Sequence, residues 1–598
     1  MLATLPLPFY FLIGGLVSIF LPKGAVKSSF VCLVPVIALL VLLNGGWEEG
    51  FKIQFLGLEL NFMRVDNLST VFGIIFCIAA FLGNLFAFHL RESTQPFVAL
   101  IYSGAAIGAV FAGDLVTLFV YWELTAISSV FLIWARKTEG AYHSGMRYLI
   151  IQVLSGVVLL FGVALFYSET GSISFVKMQL GSLATVLIFI AFGIKCAFPF
   201  MHNWLQDSYP SATITGTVIL SAFTTKLAVY ALARGFPGTE LLIYIGAAMT
   251  IFPIFFAEVE NDLRKVLAYS LNNQLGFMVV GVGVGTELAL NGTTAHAFSH
   301  ILYKALLFMS VGAVLFRTGT SRASELGGLY RTMPLTAIFC LIGAASISAF
   351  PLFSGFVSKS LIMSGAGKAH YQIIWLILVF ASAGVMSHSG IKVPYFTFFH
   401  HDSGKRPEEA PMHMLLAMGL TSILCIYIGI FPNNLYAIMP FEVKYEPYTF
   451  EHILAQLQLL CFAILAFYIL SKLNQLPSET RSINLDFDWT YHSKSGHKLK
   501  AGYEHTITEI QVLDIDEPWS GSSGFGANYD NYSAKTYFGA FYIQDRISFQ
   551  GMTLNFGFRT DYWIPGRYVE NAILDTNSII ITDQARDLFF KETYKMPW

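Results

Sequence analysis

The sequence predicts an all-α polytopic membrane protein with about 14–15 transmembrane helices, some of them discontinuous, and a short β-strand-rich C-terminal tail. Three observations predict it. The 598 residues are 55% hydrophobic and 12% charged, against about 25% charged in soluble domains. Apolar runs of about 20 residues, the length that crosses a bilayer, recur as far as residue 473. Beyond 473 those runs stop, and apolar residues alternate with polar ones at the strand period of two.

The first run, MLATLPLPFYFLIGGLVSIFLPKG, lacks a basic leader and a small-residue cleavage site and reads as a first membrane helix. The candidate spans are 5–22, 29–45, 67–88, 97–112, 114–135, 145–167, 183–205, 209–234, 240–257, 264–285, 292–316, 332–363, 371–400, 411–431 and 452–472. Two carry breakers. Pro199 follows Lys195, and Pro351 with Gly355 interrupts the segment that ends at Lys359. A break at membrane depth is tolerated only where it faces protein or a wet cavity.

Basic residues cluster at Lys23 and Lys27, Arg136 and Lys137, Arg264 and Lys265, Arg317 and Arg322, and Lys405 and Arg406. All five clusters follow odd-numbered spans. The positive-inside rule then puts the N-terminus outside, with Arg234 as an exception.

In the tail, Leu499, Ala501, Tyr503 and Ile507 alternate with polar residues, as do Phe541, Ile543, Ile547 and Phe549, and Met552, Leu554, Phe556 and Phe558. Gln550-Gly551 between the last two sets reads as a hairpin turn. The expected layout is a transmembrane helical domain over 1–473 with its motif-bearing region at 114–363, a cytoplasmic linker over 474–495, and a β-rich tail over 496–598.

The formal net charge of −2 argues against a nucleic-acid partner. Six cysteines lie in apolar segments without C-x-x-C spacing and read as small buried hydrophobes, with no metal site and no cofactor motif. The ionisable residues inside spans are the informative ones. They are Glu123, Lys195, Lys226, Lys304 and Lys359. A lysine at mid-bilayer costs about 2.5–3.5 kcal/mol on insertion scales, and such residues mark ion or proton pathways. His296, His300 and Lys304 repeat at i, i+4 and i+8 and so share one helix face. A metal reading of the two histidines lacks a third ligand. A proton-relay face fits better, because imidazole titrates near neutrality. Water-poor surroundings ease loss of an ammonium proton and a nearby carboxylate holds it, so a row of such groups passes protons along. The alternatives are a packing carboxylate for Glu123, a snorkelling lysine at Lys195 and satisfied core imidazoles for His296 and His300.

Six motifs appear in order: DLVTLFVYWEL, IKCAFPFMHNWLQD, TTKLAVYALAR, NDLRKVLAYSLNNQLGFM, HAFSHILYKALLFMSVGAV and LGGLYRTMPLTAIFCLIGAASISAFPLFSGFVSKS. This ordered set resembles the antiporter-like membrane subunits shared by respiratory complex I and the Mrp multisubunit cation/proton antiporters. The resemblance is close over 114–363 and general over 1–492. It implies two inverted half-channel repeats with discontinuous helices. It also implies roles. Glu123 corresponds to the family's helix-five glutamate, Lys195 to its paired lysine on the first broken helix, and Lys226 to the central lysine. His296, His300 and Lys304 correspond to the connecting relay, and Lys359 to the exit-side charge on the second broken helix.

The stretches SHSGIKVPYFTFFHHDSGKRPEEAP and SETRSINLDFDWTYH (478–492) are similar to D-type subunits of the Mrp antiporters. Lys392 lies in the first of them, where a cytoplasm-facing anchor is its simplest reading. The implied function is that of a proton-translocating subunit of a Na⁺(K⁺)/proton antiporter in a bacterial inner membrane. It would be a transporter subunit, not an enzyme, with other membrane subunits, protons and a monovalent cation as its partners. The alternative is a proton-pumping membrane-arm subunit of an NADH:quinone oxidoreductase-like complex. From 496 onward, GHKLKAGYEHTITEIQ and YFGAFYIQDRISFQGMTLNFGFRTDYW resemble strands of TonB-dependent outer-membrane receptor barrels. A few strands cannot close a barrel in lipid, which leaves a foreign fused tail or a small soluble β domain.

Overall fold

The computed structural model describes residues 5–45, 51–55, 57–473, 480–493, 497–516, 528–549 and 552–564. The chain divides into two units, Met1–Leu465 and Ala466–Trp598.

Apolar length produces the first unit. In chain order come α1 (Leu7–Phe20), α2 (Ala25–Leu43), the strands β1 (Phe51–Phe55) and β2 (Leu58–Met63), α3 (Asn67–Phe86), α4 (Thr94–Phe111), α5 (Leu115–Trp134) and α6 (Glu139–Thr170). The broken pairs α7 (Leu183–Lys195) with α8 (Asn203–Ser211), and α9 (Ile214–Ala222) with α10 (Thr224–Gly235), follow. Then come α11 (Leu241–Val259), α12 (Leu263–Val284), α13 (Glu287–Thr318), α14 (Pro334–Ile347) and α15 (Ser354–Lys368). The series closes with α16 (Gln372–Val385), α17 (Lys392–Pro394), α18 (Met412–Ile430), α19 (Pro432–Tyr436) and α20 (Phe450–Leu473). Among the described residues, 11 helical stretches are long and apolar enough to cross a membrane. The shorter helices α1, α7 and α14 are apolar too, and α12 is a 22-residue helix that is almost wholly buried. The β1–β2 hairpin was not among the expected elements. It pairs Phe55 with Leu58, and Asn61 on β2 donates its N–H to the Asp114 carboxylate at 2.7 Å.

The breaks have local causes. The segments Ala197-Phe198-Pro199-Phe200 and Ala349-Phe350-Pro351-Leu352 repeat one pattern. In each, the alanine and the residue after proline take positive φ, at 61° and 67° in the first and 56° and 74° in the second. Non-glycine residues avoid that region, and proline also denies the helix a donor. The third break, at Phe223, has no proline and left no signal in the sequence.

The five basic clusters gather at one end of the bundle through a chain of contacts. Lys27 donates to Ser93 at 2.7 Å, Arg136 to the Pro210 carbonyl at 2.8 Å, and Arg264 to the Ala212 carbonyl at 2.9 Å. Ser321 donates to Asp262 at 3.0 Å, Arg317 to the Glu409 carbonyl at 2.9 Å, and Arg406 to Asp402 at 2.8 Å. Arg234 lies at the opposite end, beside Asp66.

In the second unit, β3 (Thr480–His492), β4 (His497–Asp516), β5 (Asn528–Phe549) and β6 (Met552–Ile564) form an antiparallel meander in the order β3-β4-β5-β6. This corrects the expected linker over 474–495, because Thr480–His492 is a strand paired along its length with β4. Leu485, Phe487, Trp489 and Tyr491 alternate with Asn484, Asp486, Asp488 and Thr490, the period that favours a strand. The turn expected at Gln550-Gly551 lies outside the described residues, and Phe549 and Met552 on either side of it are paired.

Candidate functional site

Each ionisable side chain is placed by a capped helix or by a break. Asp114 caps α5, accepting from the Thr117 N–H at 2.7 Å and the Thr117 hydroxyl at 2.7 Å. Such a cap contributes about 1 kcal/mol and sets the helix that carries Glu123. Glu123 is half-buried, and its Oε1 is buried without a hydrogen-bond partner. Gly156 on α6 makes room for it, since a Cβ there would overlap that oxygen.

Lys195 is the last residue of α7 and is fully buried. Its ammonium donates to the Trp122 carbonyl at 2.7 Å and to Thr125 Oγ1 at 2.9 Å, and sits 4.3 Å from the centre of the Trp122 ring. Glu123 acts on it electrostatically. Lys226 lies in the first turn of α10 and donates back across the break to the Ser221 carbonyl at 2.6 Å. Lys359 on α15 does the same across the Pro351 break, donating to the Ile347 carbonyl at 3.1 Å and to Ser382 at 3.4 Å. Two broken helices therefore end with carbonyls, the negative pole of the helix dipole, turned onto a buried ammonium.

α13 joins these points. It starts from the Thr286 cap and ends at Gly319, with φ 78°. His296, His300 and Lys304 on it are fully buried. His296 shares hydrogen bonds with Ser358 at 3.1 Å and Gln274 at 3.2 Å, and Tyr303 donates to the same Gln274 oxygen at 3.1 Å. The His296 and His300 rings lie 6.2 Å apart. Both nitrogens of His300 and the Lys304 ammonium have no hydrogen-bond partner among the described residues.

The groups lie near one another inside the bundle. Glu123 acts on Lys195, and Cys196, the residue after Lys195, lies close to Lys226. Lys226 acts on Lys304 and His300, and Lys359 acts on both histidines. The structure brings Glu123 beside Lys195, and gathers Lys226, His296, His300, Lys304 and Lys359 into a neighbouring set. Thr125, Gln274, Tyr303, Ser358 and Ser382, which contact these groups, were missed from the sequence. The polar triplet Asn272-Asn273-Gln274 inside an apolar helix is the signal that could have found Gln274, since buried polar groups need partners. Lys392, read as an anchor, has three backbone partners at the end of α11. It donates to the carbonyls of Ala257, Glu258 and Glu260 at 3.0, 2.5 and 2.8 Å.

A family model described as the transmembrane part of NADH:quinone oxidoreductase and Mrp antiporters matches residues 112–386. The D-type Na(+)/H(+) antiporter subunit of Alkalihalophilus pseudofirmus is 30% identical over 359 residues, covering 56% of this chain and 71% of that protein. The A/B-type subunit of the probable K(+)/H(+) antiporter of Rhizobium meliloti is 28% identical over 461 residues, and there the chain spans only 46% of the relative. A chain of the Mrp complex from a Dietzia species superposes with a TM-score of 0.65 at 21% identity, over 77% of this chain and 98% of that one. At that identity the match speaks for the fold.

Proposed function

The chain belongs to the NADH:quinone oxidoreductase/Mrp antiporter family of membrane subunits, and from that premise we propose that it is the proton-translocating subunit of a multisubunit Na⁺ or K⁺/proton antiporter. It is a multi-pass membrane protein of the bacterial plasma membrane. The observation that supports the proposal is the succession of ionisable side chains inside the bundle, Glu123 with Lys195, then Lys226, His296, His300, Lys304 and Lys359. In this reading Glu123 holds the proton of Lys195 when the two close. Release of that contact sends the proton on to Lys226. His296, His300 and Lys304 carry it along α13, and Lys359 hands it out. The end of the bundle with the basic loops is cytoplasmic in this reading.

The test uses everted vesicles from a strain lacking its own antiporters, with the chain expressed beside its partner subunits. Addition of Na⁺ or K⁺ is expected to collapse a respiration-driven pH gradient. Copurification of iron–sulfur subunits, with quinone-dependent NADH oxidation and no cation-driven collapse, would favour the membrane-arm reading instead.

A further inference from the structure

The buried polar groups do not stop at Lys359. Between α16 and α17, Met386–Ile391 winds as a π-helical turn. Such turns are rare, and they concentrate where a side chain has to be re-aimed for a task. This one buries His388 completely. One of its ring nitrogens approaches the Gly384 carbonyl, and neither has a side-chain hydrogen-bond partner among the described residues. A buried polar group left without a partner costs about 1–3 kcal/mol. Packing alone would be served by an apolar residue.

The charged groups acting on His388 come from three directions. They are Lys304 on α13, Lys359 on α15 and Lys392 on α17. The other elements packed against the turn bring hydroxyls and one carboxyl. Ser389 donates to Ser270 of α12 at 2.8 Å, Gly390 sits against Ser348 at the end of α14, and Ser382 on α16 takes the Lys359 hydrogen bond. The carboxyl is Glu258 in the last turn of α11. It accepts from the Ser387 hydroxyl, next to His388, and interacts with Lys392. Glu258 is exposed, and the Glu260–Asp262 loop that follows it belongs to the end of the bundle with the basic clusters.

We propose that His388 is a proton-carrying residue that connects Lys304 and Lys359 with Glu258, giving the buried groups a mouth at the basic-loop end of the bundle. This rests on the reading of the chain as a proton carrier. In the transfer, one ring nitrogen takes a proton from a lysine ammonium, directly or through water, as that N–H bond breaks and a new one forms. A proton then leaves the imidazolium for the Glu258 carboxylate, directly or through water, forming one O–H bond as the ring N–H bond breaks, and no electrons are exchanged. Lys392, tied to the α11 carbonyls, holds the mouth in place.

The experiment compares proton flux in everted vesicles carrying the whole complex, with the amount of complex measured for every variant. His388→Gln keeps a polar side chain of similar reach that does not titrate. It is expected to lower flux at least tenfold and to change the shape of the wild-type pH profile. Glu258→Gln, at the surface, is expected to lower flux several-fold with normal assembly. Lys226→Ala reports on the parent reading. If His388→Gln and Glu258→Gln match wild type in rate and pH profile while Lys226→Ala is silent, the His388 assignment is overturned and the relay stands. If Lys226→Ala also transports, the relay itself fails. A His388→Gln complex that is slow but keeps the wild-type pH profile assigns the residue a structural part only and overturns the proposal.

Discussion

Lys195 and Glu123 form an open pair. The Lys195 ammonium donates to the Trp122 carbonyl at 2.7 Å and to Thr125 Oγ1 at 2.9 Å, one residue before Glu123 and two after it on the same helix. The Glu123 carboxylate is near enough to act on that charge, while its buried Oε1 has no hydrogen-bond partner. This is the arrangement expected of a pair that closes and opens: the ammonium has a second resting place when the carboxylate lets go.

Glu123→Gln removes the charge that holds the proton and is expected to lower proton flux at least tenfold without loss of the complex. Gly156→Ala tests the same contact from the other helix, since a Cβ there displaces the Glu123 carboxylate. It is expected to slow flux while Gly156→Ser slows it further. Flux assays on vesicles with matched complex content check both.

The positive φ of Ala349 (56°) places a side chain in a region that costs an L-residue roughly 1–2 kcal/mol. Ala349→Gly is expected to be tolerated, with flux retained. Ala349→Val, β-branched at positive φ, is expected to lower the thermal midpoint of the detergent-solubilised complex and to displace Lys359, which depends on that break. Ala197 (61°) is expected to give the same contrast through Lys195.

At the opposite end from the basic loops, Asp66 caps α3, accepting from the Ser69 N–H at 2.9 Å, and accepts from Arg234 at 2.7 Å. Burial works to raise its pKa, but the Arg234 hydrogen bond and charge, with the Ser69 N–H, outweigh it and hold the carboxyl below its usual value. A depressed folded-state pKa contributes stability that is fully present above the unfolded value of about 3.9, and is lost as pH falls through the folded value. The tie therefore stays intact from neutral to alkaline pH and fails only in acid. Asp66→Asn keeps a competent cap and is expected to flatten the acid limb of the stability profile. Asp66→Ala also loses the cap and is expected to cost about 1 kcal/mol more. Thermal unfolding from pH 3 to pH 8 reads both.

The four-stranded sheet has no counterpart in the mechanism. A stop after Leu473 is expected to leave assembly and cation-driven proton movement at wild-type levels. Native-membrane mass spectrometry for peptides beyond 492 shows whether the tail is made at all. A truncated chain that assembles but no longer transports would give the sheet a role.

Much of this was legible because buried charge in a membrane is expensive and therefore conspicuous. Glu123, Lys195, Lys226, Lys304 and Lys359 stand out against apolar text, and His296 and His300 fall on the face of Lys304 by helical spacing. Prolines announced the breaks after Lys195 and before Lys359. The break at Phe223 stayed hidden because no proline or glycine marks it, and only the packing of Tyr102 against Thr224, at 3.0 Å to its N–H, reveals how it is held. Thr125 and Ser382 were illegible for a related reason, since hydroxyls are common in membrane helices and only three-dimensional proximity to an ammonium distinguishes these two. The strand at Thr480–His492 was misread because its motif resembled membrane subunits, although its own alternation pointed to a sheet.

The most direct test of the central claim is proton flux into liposomes holding the purified complex, driven by an imposed pH gradient, for wild type, Lys226→Ala and Lys304→Ala. A relay of buried ammonium and imidazole groups predicts that either substitution abolishes flux while the complex remains intact. Undiminished flux in both would show that protons cross by some route that does not include these side chains.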